Sequence, residues 1–107
     1  MNVKNFTTFP AESKSANFST ESVDTERDIY AAFAVTTTAE SSLNVSLQLE
    51  VSLDGSNWAA EGSPTAVTSN TTAMFDVSEN PFTFARVTAT FSAGSATFAV
   101  RCQTKGF

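Results

Sequence analysis

The chain has 107 residues, 41% of them hydrophobic, and ten of its twelve aromatics are Phe. That is material for one core, buried with about two-thirds of the unfolded chain's surface, and it leaves no room for a second domain. Charged residues make up 16%, the formal net charge is −5, and three Lys and three Arg are scattered singly, which excludes the clustered cations that a nucleic acid or an anionic membrane would require.

In chain order, the amino terminus "MNVKNFTTFPAESK" lacks the basic start, apolar stretch and small-residue cleavage site of a secretory signal, and no segment approaches the roughly 18 apolar residues of a membrane span. Phe6, Phe9 and Phe18 are spaced without period around Pro10. A proline cannot donate to a ladder, so residues 1–20 are predicted to form an extended arm ahead of a single sandwich domain over 21–107. Three phenylalanines on such an arm fit two outcomes: they pack back onto their own sandwich, or they dock on a neighbouring subunit. On this reading, removing residues 1–12 leaves the sandwich folded.

Asp24, Glu26 and Asp28 alternate, so an extended "VDTERDI" would place three carboxylates on one face. They could ligate Ca²⁺, or serve as a solvated strand entrance that discourages edge pairing. Ile29, Ala31, Phe33 and Val35 then alternate as a short strand before "TTTAESS" breaks the pattern.

The strongest period lies at 43–53, where Leu43, Val45, Leu47, Leu49, Val51 and Leu53 all fall on odd positions with polar residues between them. Side chains two apart share a strand face, so all six are predicted to point inward. Asp54-Gly55 supplies turn chemistry, because Gly tolerates positive φ and Asp can accept from nearby main-chain N–H groups. Trp58 follows the turn and has two readings. It either caps the core with its N–H bonded locally, or it stacks on a sugar whose hydroxyls Asn57 and Asp54 hold, with Tyr30 as a second aromatic.

A loop-like stretch with a short strand at 65–68 leads to a strand at 74–77. Over 82–91 both alternating faces carry something large, Ala85, Val87 and Phe91 on one and Phe84 and Arg86 on the other, so that strand is expected to be covered on both sides, with Arg86 and Arg101 pairing with carboxylates such as Asp76 or Glu79. "SAGS" turns the chain, and Ala96, Phe98, Val100 and Cys102 form the inward face of the last strand. Strands every 8 to 12 residues with turn signals between them predict an all-β fold, an antiparallel β-sandwich or jelly roll of seven to eight strands. With no histidine and a single cysteine, an intrachain disulfide and the usual zinc sites are excluded, and Cys102 reads as a small buried hydrophobe. No catalytic residues, cofactor or metal are implied. The sequons at Asn5, Asn17, Asn44 and Asn70 are discounted, since Ser and Thr are abundant and no export signal is present.

"LNVSLQLEVSLDGSNWA", followed after a loop by "MFDVSENPFTFARVTATFSAGSATFAVRCQTKG", resembles a layout of small virion proteins of tailed bacteriophages. That layout runs from an alternating strand into S-x-DG-x-NW, then "PF-x-F-x-RV", a strand with a Gly turn and a closing alternating strand, and it spans residues 29–106. The resemblance implies a non-enzymatic head decoration (cement) subunit on the capsid surface, assembled in the bacterial cytoplasm, or a neck or tail accessory. Its partners would be the major capsid protein and copies of itself, as a homotrimer, with Phe6, Phe9 and Phe18 as contact residues. A carbohydrate-binding module for host adsorption, built on Trp58, is the alternative.

Overall fold

The two-residue period at 43–53 sets the register of the core. In the computed structural model, which describes residues 2–24, 30–77 and 83–106, Leu43, Val45, Leu47, Leu49 and Val51 all point inward and are buried. Leu53, predicted to join them, is 69% exposed. The strand ends one residue earlier, at Ser52, and it is the Ser52 side chain that turns in to hold the reversal, so the alternation breaks there.

Among the described residues the strands are β1 (Asn2–Lys14), β2 (Phe18–Ser19), β3 (Val23–Asp24), β4 (Tyr30–Ala39), β5 (Asn44–Ser52), β6 (Ala59–Val67), β7 (Thr71–Val77), β8 (Phe84–Ala93) and β9 (Ala96–Gly106). They form two antiparallel sheets, ordered β1-β9-β4-β7 and β2-β8-β5-β6, with β3 also on β8. The pairings nest: β1 with β9, β2 and β3 with β8, β4 with β7, and β5 with β6. A long hairpin rolled into two sheets gives this order, so the fold is a jelly roll. Nine strands rather than seven or eight result because β2 and β3, two residues each, share one position along β8.

Residues 2–14, predicted as part of an arm, are a full strand. β1 runs along β9 from Asn2 opposite Gly106 to Lys14 opposite Ala96. Register shifts between Thr7 and Phe9 and between Phe9 and Glu12 slide the apolar positions out of strict alternation, and Pro10 falls within the second of them on the edge strand, where its missing N–H is tolerated. The segment expected at 65–68 is likewise longer, because β6 begins at Ala59 and crosses a bulge at Gly62 that two-residue counting cannot follow.

Between the sheets, Phe33, Val35, Phe98 and Val100 from one meet Val45, Leu47, Leu49 and Val87 from the other. Cys102 lies in the same layer, and burial pushes its thiol up to about 12, so it is the inert apolar residue predicted. At one end the β4–β5 and β8–β9 turns interlock: Glu40 N–H donates to Ser95 O and Ser95 N–H donates to Ser41 Oγ. Gly94, at φ +81°, is pressed against Ser42 there, where an added Cβ would come within 2.0 Å of the Ser42 carbonyl oxygen.

Candidate functional site

The turn between β5 and β6 is organised by two side chains. Ser52 Oγ accepts from the N–H groups of Asp54 (3.2 Å) and Gly55 (2.9 Å) and donates to Asp54 Oδ1 (3.0 Å). Asp54 Oδ1 in turn accepts from the N–H groups of Ser56 and Asn57, both at 2.8 Å, while its Oδ2 accepts from Asn57 Nδ2 at 2.7 Å. Donation by the Asn57 amide first, then by Ser56 and the two side chains, holds the Asp54 carboxyl well below the ordinary carboxylate range. The sequence reading of Asp54 as an acceptor for its own turn is therefore right. The connection is nonetheless longer than a two-residue turn, since β5 ends at Ser52 and β6 starts at Ala59. A shallow, largely apolar depression lies beside it, lined by Val51, Leu53, Asn57 and Ala59.

This loop folds over the outer face of the second sheet. The Phe84 ring packs against Gly55, and the Arg86 guanidinium lies 4.1 Å from the centre of the half-buried Trp58 ring. Arg86 Nε donates to Glu50 Oε1 at 2.8 Å, and the same oxygen accepts from Thr88 Oγ1 at 2.7 Å. The expected carboxylate partner was Asp76 or Glu79. Instead the register sets Arg86 directly opposite Glu50, while Asp76 belongs to the other sheet and Glu79 lies outside the described residues. Cover on both faces of β8 thus holds for the Phe84 and Arg86 end, and Thr90 at the other end is exposed.

Of the residues predicted to hold a sugar, Asp54, Asn57 and Trp58 share this loop, and Tyr30 does not join them, being on β4 of the first sheet. Asn57 and Asp54 are engaged with each other, and a guanidinium occupies a face of Trp58. Of the carboxylate trio, Glu26 and Asp28 lie outside the described residues, and no group of three metal-binding side chains gathers among the described ones.

The predicted contact phenylalanines divide. Phe9 and Phe18 stack with ring centres 4.8 Å apart, and Phe18 also meets Phe98 at 5.2 Å, so both pack partly into the sandwich where β1 passes β2. Phe91 completes the cluster edge-on to Phe98, and the Lys14 ammonium lies 5.6 Å from the Phe9 ring and 5.9 Å from the Phe18 ring. Phe6 sits in the β1 ladder opposite Cys102. The sequence reading missed Met74, 66% exposed on β7, and the Trp58–Arg86–Glu50 stack. A methionine in an alternating stretch gives a face, and β7 does alternate. What Met74 faces depends on which strand lies beside it.

No family model and no curated protein sequence matches the chain. Solved structures of the same fold do. The SPBc2 prophage-derived protein YomS superposes with a TM-score of 0.63 at 10% identity, over 96% of this chain and 92% of that one. A protein of Bacillus endospore appendages, described as a family of disulfide-linked pili, gives 0.58 at 13% identity over 98% and 89%. A chain of the T13 IBDV viral particle gives 0.61 at 13% identity, and there the match covers 98% of this chain but 31% of the other. At these identities the shared property is the jelly-roll fold.

Proposed function

We propose that the protein is a non-enzymatic structural subunit of a phage virion, a decoration or cement protein that bridges neighbouring capsomers on the head surface. The observation that carries this reading is the jelly roll itself, with its nested pairing and a core filled by Phe33, Phe98 and the β5 aliphatics. A rigid two-sheet body of this type offers outer faces and edges for contact, and symmetric repetition on a lattice multiplies weak contacts into firm attachment. The prophage origin of YomS and the occurrence of the fold in an icosahedral viral particle support the same reading. The neck or tail accessory is the second form of it, and copies of the chain would associate with each other in either position.

A glycan-binding role is favoured less, because Arg86 covers a face of Trp58 and Tyr30 lies on the other sheet. Cryo-EM of the phage particle whose genome encodes this chain tests the proposal. Density repeated over the head lattice is the expected result, and a few copies confined to the neck would assign the accessory role instead. A chain absent from the particle, or glycan-array binding that is lost in Trp58→Ala with the fold intact, would overturn the proposal.

A further inference from the structure

Among the described residues the sandwich has four edge positions, and three are blunted against pairing with another strand. β6 carries Pro64 and the bulge at Gly62, whose carbonyl, with that of Glu61, accepts from the Gln48 side-chain amide. β1 carries Pro10 and two register shifts, and the β2/β3 edge is broken into two-residue pieces. Such features stop edge-to-edge association. β7, by contrast, has no Pro, Gly, Lys or Arg, and it pairs with β4 without a break from Thr71 opposite Thr37 to Val77 opposite Ala31.

Two hydrogen bonds tell which β7 groups face outward. Ala39 N–H donates to Asn70 Oδ1 at 2.8 Å, toward β7, and the next amide, Glu40 N–H, donates to Ser95 O at 3.0 Å, toward β9. Main-chain groups of successive residues in a strand point to opposite edges, so Thr37, Val35, Phe33 and Ala31 direct theirs to β7. Their register partners Thr71, Ala73, Phe75 and Val77 answer them. Thr72, Met74 and Asp76 therefore direct N–H and C=O to the open edge, and no strand among the described residues lies there.

The sequence of this edge is self-complementary. With Met74 opposite Met74 of a second copy in antiparallel register, Thr72 of each chain meets Asp76 of the other, a hydroxyl donor against a carboxylate. Centring the pairing on Asp76 would set like charges face to face, and centring it on Thr72 would run Asp76 past the end of the strand. Among the described residues the cross-strand neighbour of Met74 is Ala34, too small to cover it, and the methionine is 66% exposed. We propose that β7 is a self-association edge, through which two copies pair about a two-fold axis at Met74 and join their four-stranded sheets into one. The inference stands on the strand edge and is independent of the virion reading.

The whole protein, sedimented over a concentration series, is expected to show a concentration-dependent species of twice 11.4 kDa. Met74→Lys, at a side chain already exposed, should keep the far-UV spectrum and abolish that species. Because Cys102 is buried, Met74→Cys introduces the accessible thiol. A short bis-maleimide should link it to its copy in high yield, and should link Thr72→Cys poorly, since Thr72 faces Asp76 of the other chain. A strict monomer at every concentration, a trimer, a dimer that survives Met74→Lys, or linkage favouring position 72 would each overturn the proposal.

Discussion

Two glycines with the same backbone conformation separate conformational cost from crowding. Gly62 (φ +75°) has nothing within 4 Å of an added Cβ, whereas Gly94 (φ +81°) would drive one into the Ser42 carbonyl. Gly62→Ala should lose about 1–2 kcal/mol for the left-handed backbone alone, and Gly94→Ala should lose clearly more, because main chain must move. Urea unfolding of both variants checks this, and equal losses would mean that the interlocked turns yield freely. Asp54 makes a pH prediction. Its folded carboxyl is held below the unfolded value, so its stabilising effect is present above the unfolded value near pH 4 and is lost as pH falls toward the folded one. The stability gap between the parent and Asp54→Ala should be constant at pH 5–7 and narrow progressively below about pH 4. A gap independent of pH down to 2 would remove the ionised carboxylate from the turn.

At the scale of elements, β1 changes the expectation for truncation. As an arm, residues 1–12 would be dispensable to the fold, but as a strand they pair with β9 from Gly106 to Phe98. Their removal leaves β9 as a bare edge and takes Phe9 from its stack on Phe18. Deletion of 1–12 should therefore lower the urea midpoint severely or prevent folding, and an unchanged midpoint would show that the ladder adds little. The elements legible in the sequence were those with unbroken alternation, namely β4, β5, β8 and β9, where inward and outward residues follow from position alone. β1 and β6 were hidden because bulges shift the period, and Leu53 was misplaced because a buried Ser52 hydroxyl, not a further aliphatic, closes the strand. In the candidate site, Asp54 could be read because its partners lie within three residues, whereas Arg86 and Glu50 are 36 residues apart and meet only through register.

At the scale of the whole molecule, the nested order places the two ends of the chain side by side, with Asn2 opposite Gly106. That pairing is the most non-local in the fold, and closing a loop of nearly the full chain must precede the contacts that reward it. A jelly roll of this kind is expected to refold slowly, in milliseconds to seconds. Connecting residue 107 to residue 1 by a short flexible linker and opening the chain between β6 and β7, at residues 68–70, turns β9–β1 into a local hairpin. The same change makes β4–β7 and β5–β8 more distant in sequence, yet β4 moves closer to β9, so the mean separation of paired strands falls. The permutant should keep the parent's spectrum and refold faster in stopped-flow experiments. If closure of β1 onto β9 is not the slow step, the two rates will agree, as nucleation within the β5–β6 hairpin, which both chains retain unbroken, would give.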